Sequence, residues 1–115
     1  MERWLYKIVR PAEHQALTTL RRWPGSADDE RDGFVHLSTP GQVQGTLDRH
    51  FAGEALVHVL LVDAAKLPAE ALRWEASRGG ALFPHLYAPL AADAVHAEAT
   101  VAADPSGRLS FRELA

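Results

Sequence analysis

Along residues 4–9 the side chains alternate, Trp4, Tyr6 and Ile8 against Leu5, Lys7 and Val9, in a stretch rich in aromatic and branched residues. A period of two predicts a strand. The period then lengthens. Ala16, Leu17, Leu20 and Trp23 recur at helical spacing behind Pro11, whose missing N–H costs nothing in a first turn, and Pro24-Gly25 closes the pattern. A helix is expected over about 11–22. Between Gly25 and Gly33 polar and turn-forming residues take over, and four acids (Asp28, Asp29, Glu30 and Asp32) crowd five positions, so this segment reads as a surface loop.

Residues 34–38 return to a period of two, with Phe34, His36 and Ser38 on one face of a short strand. Thr39-Pro40-Gly41-Gln42 then has the form of a capping box with proline at the first helical position. A second helix follows, with Val43, Leu47 and Phe51 as its buried stripe and Gly53 as its stop. His36 and Ser38 thus fall at a strand-to-helix junction, where backbone donors and side chains can converge on a ligand.

Residues 56–62 are apolar on both faces apart from His58, as a central strand covered on both sides must be. After the connector Lys66-Leu67-Pro68, Leu72, Trp74 and Ala76 alternate with Arg73, Glu75 and Ser77, which predicts another strand. Residues 77–90 hold two glycines, two prolines and several rings without a clear period, the pattern of a structured loop. Val95, Ala97, Ala99 and Val101 alternate with His96, Glu98 and Thr100. Beyond the turn at Asp104-Pro105-Ser106-Gly107, the chain is expected to return as a hairpin partner, the whole hairpin covering about 94–114. The fold class expected is α+β: a mixed or antiparallel sheet of five to six strands with two main helices. Its core should hold Leu17, Leu20, Leu47, Phe51, Val59, Leu61 and Trp74.

Composition narrows this little. The 115 residues are 47% hydrophobic and 23% charged, which suits one globular domain over residues 1–115. The lack of cysteine does change the picture, because it removes thiol nucleophiles, disulfides and thiolate zinc sites. Twelve basic residues, scattered among fifteen acidic ones, argue against binding a DNA duplex. No apolar run resembles a signal peptide or reaches bilayer length, so a cytoplasmic protein without membrane association is expected.

Phosphate loops, dinucleotide fingerprints, paired zinc histidines and nucleophile elbows are all missing. The chemistry-bearing residues are more dispersed. His36 and Ser38 share a face, and an imidazole there can transfer protons near neutral pH or merely tie down the acidic loop. Arg73, Glu75 and Ser77 project from one strand face that is either solvated or leads into a site. Arg78 precedes Gly79-Gly80, where backbone could approach a ligand while the guanidinium grips a phosphate or carboxylate. Phe83, His85 and Tyr87 fall on one side if extended, as a stacking surface or as plain packing. His36, His85 and Glu75 could also be gathered into a metal-dependent hydrolase, although no two histidines stand at metal-ligand spacing. His14, His50 and His96 read as surface positions.

Two long strings carry a resemblance. Gly25-Ser26-Ala27-Asp28-Asp29 with Asp32-Gly33-Phe34-Val35-His36-Leu37-Ser38-Thr39 is the first, and Trp74-Glu75-Ala76-Ser77-Arg78-Gly79-Gly80-Ala81-Leu82-Phe83-Pro84-His85-Leu86-Tyr87 is the second. With Gln42-Val43, Thr46 and Phe51-Ala52-Gly53 between them and Tyr6-Lys7-Ile8 ahead, the chain resembles, over about 4–95, the small bacterial family named domain of unknown function 952. That family is similar in layout to ADP-ribosyltransferase-like proteins, including the RNA 2′-phosphotransferases that use NAD. The resemblance implies an ADP-ribosyltransferase-like fold, NAD as cofactor, and transfer of ADP-ribose or action on a phosphorylated substrate. Lys7 or Tyr6 would take the family's first site position and His36 with Ser38 its second. Glu75, the Ser77-Arg78 pair or His85 would take the third. The His-Gly-Thr of the first strand is missing here. On this resemblance His36, Glu75 and His85 are the catalytic candidates, with Glu75 facing the positive charge that develops on ribose. Lys7, Ser38, Ser77, Arg78, Phe83 and Tyr87 are the cofactor-binding candidates. Lys7 and Arg78 would hold pyrophosphate, and Phe83 or Tyr87 would stack on nicotinamide. The alternative is a non-catalytic binder of a small anionic or nucleotide-like ligand.

Overall fold

The structure, a computed structural model, describes residues 2–114, the side chain of Arg78 excepted. It is α+β and antiparallel throughout, but its strands form three small sheets rather than one of five to six strands. The largest joins β1 (Trp4–Val9), β4 (Leu56–Asp63) and β8 (Val95–Ala102), with β4 in the middle. Tyr6 faces Leu61 across one pairing and Val59 faces Ala99 across the other. Because β4 is apolar on both faces, it feeds two cores. Leu60 and Val62 pack with Leu5, Val9, Leu17 and Trp23, while Val57, Val59 and Leu61 pack with Tyr6, Val43, Leu47 and Phe51.

Helix α1 (Pro11–Leu20) stops two residues before the sequence pattern suggests. Arg21 adopts the left-handed conformation at φ 63°, and its N–H donates to the Leu17 carbonyl at 2.9 Å. Arg22 and Trp23 therefore become β2 (Arg22–Trp23), paired with β7 (Leu90–Ala91). Trp23 is buried, and Leu20, expected in the core, lies 57% exposed. The acidic segment is not a loop. Ser26 starts α2 (Ala27–Asp32) by accepting from the Asp29 N–H at 3.2 Å, and the Asp29 carboxylate accepts from the Ser26 N–H at 2.9 Å. Gly33, at φ 89°, ends the helix as only glycine does comfortably.

Strand β3 (Val35–His36) follows, then a 3₁₀ turn at Pro40–Gln42 that opens α3 (Val43–His50). Residues 77–90, expected to be a loop, contain β6 (Leu82–Leu86) as well as β7. With β5 (Leu72–Ala76), β6 and β3 make the third sheet, in the order β3-β6-β5. Pro84 stands opposite Trp74 in this central strand, but its polar groups face the β3 side, at the level where β3 has already ended. Its carbonyl accepts from Leu37, just past the end of β3.

The C-terminal segment forms no strand, so the expected hairpin is absent among the described residues. Gln44 of α3 holds it instead. Its amide donates to the Leu109 carbonyl and accepts from the Phe111 N–H, both at 2.8 Å, and Leu114 N–H donates to the Tyr6 hydroxyl. No helix among the described residues is long and apolar enough to cross a membrane.

Candidate functional site

Pairing of β3 with β6 sets His36 directly opposite His85, and their ring centroids lie 5.7 Å apart. Each imidazole is held by a carboxylate. His85 Nδ1 lies 2.8 Å from Glu75 Oε1, and the same oxygen accepts from the Tyr87 hydroxyl at 2.6 Å. Phe34 stacks on the His85 ring at 3.9 Å, leaving the side chain 7% exposed. The Nε2 atom of His85 has no hydrogen-bond partner among the described residues. A carboxylate on Nδ1 fixes the tautomer in which Nε2 is free to accept a proton.

His36 is clipped at both ends. Nδ1 lies 2.6 Å from Asp29 and Nε2 lies 3.0 Å from Asp32, so the six residues of α2 are tied to β3 through one ring. Asp29 is the hub of this arrangement. Its carboxylate, 1% exposed, also takes the His36 N–H at 3.1 Å and pairs with Lys7 Nζ at 2.9 Å, while Lys7 donates to the His36 carbonyl. Burial pushes the Asp29 carboxyl up, but the hydrogen bond from His36 and the charge and hydrogen bond of Lys7 outweigh it and hold the group well below the usual carboxylate range. Arg31, and to a smaller degree His36, lower Asp32. The Tyr87 hydroxyl and then His85 lower Glu75, and the Glu75 carboxylate in turn raises Tyr87.

These residues border a cleft of about 680 Å³. Its lining comes from β1 (Lys7), β3 and the residues after it (His36, Ser38), α2 (Asp28, Arg31, Asp32), α3 and its opening turn (Gly41, Gly45, Thr46, Arg49) and the β5–β6 connection (Ser77, Gly79), with Phe83 and His85 from β6. Of the residues singled out in the sequence, Lys7, His36, Ser38, Ser77, Phe83 and His85 therefore meet at one cavity. Glu75 and Tyr87 do not line it; they stand behind His85 and fix it. Tyr87 also carries the Arg73 guanidinium 4.9 Å over its ring. Arg78 belongs to the turn Arg78–Gly80, but its side chain lies outside the described residues. Lys7 reaches the cleft already paired with Asp29.

Sequence reasoning missed Asp29, although Ser26-Ala27-Asp28-Asp29 carries the spacing of a capping box. It also missed Phe34 as the cover of His85. His14, read as a lone surface residue, stacks on His58 at 4.1 Å and pairs with Glu98. Among the described residues no group of three or more histidine or carboxylate side chains is placed to hold a metal ion.

A family described as proteins of unknown function, DUF952, matches residues 8–98. The crystal structure of protein CC0527 from Caulobacter crescentus is 46% identical, covers 93% of each chain and superposes with a TM-score of 0.87. The solution structure of CC0527 is 47% identical over 91% of this chain and 90% of that one, with a TM-score of 0.80. No curated protein matches the chain. These matches speak to family and fold, and none of them names an ADP-ribosyltransferase or NAD.

Proposed function

The chain belongs to the DUF952 family of proteins of unknown function, and we propose that its cleft binds a small anionic, nucleotide-like ligand on which His85 moves a proton. The observation that carries this reading is His85 itself. It is nearly buried, anchored at Nδ1 by Glu75, without a partner at Nε2 among the described residues, and set in the lining of a cavity whose volume falls within the roughly 300–1,000 Å³ of small-molecule sites. A buried imidazole so held is suited to general acid–base work. Glu75 acts through it as a positioning residue. His36, braced by two carboxylates, presents a ring of fixed orientation beside it.

The ADP-ribosyltransferase resemblance makes NAD the first ligand to try, and the cleft is large enough and polar enough to admit it. Bound NAD would supply an ADP-ribosyl group whose bond to nicotinamide breaks with the electron pair departing on nicotinamide. His85 Nε2 would take the proton of the acceptor hydroxyl as its oxygen bonds to the ribose carbon. Ser38 and Ser77 offer hydroxyls to the sugar and phosphates, and Phe83 offers a ring face. Binding without turnover would use the same residues.

Thermal melting with NAD, ADP-ribose and AMP tests the reading. A ligand at about 100 times its Kd stabilises the fold by about 2.7 kcal/mol, a rise of several degrees in Tm for a domain of this size. Nicotinamide release from NAD, lost in His85→Gln, identifies the transferase, and binding without release identifies the binder. If none of the three compounds shifts Tm, the reading fails.

A further inference from the structure

Resting on that reading of the cleft, we infer that Arg49 is its anion anchor and that the ligand lies along the face of α3 formed by Gly45 and Arg49. Four cationic side chains line the cleft among the described residues: Lys7, Arg10, Arg31 and Arg49. Three are neutralised by neighbours. Lys7 is 2.9 Å from Asp29, Arg10 is 3.0 Å from Glu54 and 3.6 Å from Glu13, and Arg31 is 2.9 Å from Asp32 and 3.3 Å from Asp28. Arg49 has no ion-pair or hydrogen-bond partner among the described residues. A guanidinium left unpaired at the rim of a polar cavity is placed to take the two-pronged hydrogen bonds of a phosphate.

The glycines point the same way. Positions 45 and 49 of α3 stand four apart and so fall along one helical face, and Gly41 lies in the 3₁₀ turn just ahead of it. Gly45 lies inside α3, where glycine costs about 1 kcal/mol relative to alanine. Nothing in the fold requires it. Its φ is not positive, and a Cβ at Gly41 or Gly45 would meet no atom within 4 Å. What a bare backbone does provide, on a face that opens into the cleft, is close approach for a flat or extended ligand. His85, its side chain only 7% exposed and its Nε2 without a partner among the described residues, marks where the reacting end of that ligand belongs.

The test is isothermal titration with ADP-ribose at low and high salt, on the full chain. Arg49→Ala is expected to weaken binding about 10–100-fold, the scale of a hydrogen bond to a charged group, and to flatten the salt dependence. Arg49→Lys should recover part of the affinity, because a point charge lacks the fork. Gly45→Leu should abolish binding while the ligand-free protein melts no lower than the parent, since leucine favours the helix and enters open space. Parent-like affinity in Arg49→Ala or in Gly45→Leu overturns the inference and leaves the proposed function standing. A parent protein that binds none of NAD, ADP-ribose and AMP overturns both.

Discussion

The β1-β4-β8 and β3-β6-β5 sheets each have three antiparallel strands, yet different physics holds them. In the first, β4 buries Val57, Val59, Leu60, Leu61 and Val62 between two apolar layers, and none of these five side chains depends on one particular partner. Burial of that kind is non-directional and follows area. Around the second, His36, His85 and Glu75 of its own strands meet Asp29 of α2 and Lys7 of β1, and each position is set by a hydrogen bond or an ion pair. The first sheet supplies stability and the second supplies fixed polar geometry. A network of the second kind is satisfied only as a whole, because a buried polar group costs far more unpaired than paired.

The contrast breaks most sharply at Asp29. Asp29→Ala strands the Lys7 ammonium, 6% exposed, without its counter-charge, and should destabilise by about 3–5 kcal/mol in urea unfolding. The double change Lys7→Met with Asp29→Leu should recover much of that loss, since replacing a buried pair by apolar groups is often neutral or better. If the single and double variants were equally unstable, the ion pair would not be what ties this region together.

Leu61→Ala attacks the other sheet. Leu61 is 1% exposed and packs with Tyr6, Leu47 and Phe51, so the change should cost about 2–5 kcal/mol through lost transfer energy and the cavity left behind. No companion mutation of a single partner should rescue it, in contrast to Asp29. A loss under about half a kcal/mol would displace β4 from the centre of the core.

Acid should separate the sheets in one experiment. Asp29, Asp32 and Glu75 are all held below their ordinary values, so the stability they contribute is complete above those values and is lost as pH falls through the lowered ones. For Asp29 the loss begins below the ordinary value of 3.8. In the first sheet Asp63 is similarly lowered, but by Arg3 at the very end of β4, where Arg3 is 60% exposed. Amide exchange measured from pH 6 down to about pH 2 should therefore lose protection in β3 and β6 before β4. Simultaneous loss in both sheets would show that they open as one unit.

The same division governs what the sequence discloses. Strands β1, β4, β5 and β8 are legible because alternation or unbroken apolarity is the direct imprint of burial on a chain of period two. Helix α2 carries no such imprint, because its one buried residue is Asp29 and an apolar stripe is absent. Strand β6 is masked by Pro84, which ordinarily argues against a central strand. Leu20 is misplaced because helical spacing says nothing about Arg21 leaving the helix with φ 63°. The site is legible only in part. His36 and Ser38 fall in a segment of period two, and Phe83 and His85 draw notice as rings two residues apart although their strand does not, whereas Arg49 and Gly45 belong to a helix whose periodicity points only to the opposite, buried face of Val43 and Leu47.

The smallest effect sharpens the comparison furthest. Glu75 and Tyr87 sit at the exposed edge of the site sheet, their side chain and residue 38% and 39% exposed, where burial contributes little and hydrogen bonding must do the ordering. Glu75 Oε1 accepts from both Tyr87 and His85, and the tyrosine hydroxyl is the larger cause of its lowered carboxyl pKa. Tyr87→Phe removes that donor but keeps the ring that packs under Arg73 and near Phe34. The Glu75 carboxyl should then titrate closer to its ordinary value in a carbon-detected NMR titration, with Tm hardly moved. Because Glu75 still accepts from His85, the imidazole should stay in place, and the amide shifts of β6 should change little. An unaltered Glu75 titration would mean that the hydroxyl does not bond the carboxylate in solution. The carboxylate would then hold His85 without help from the strand edge.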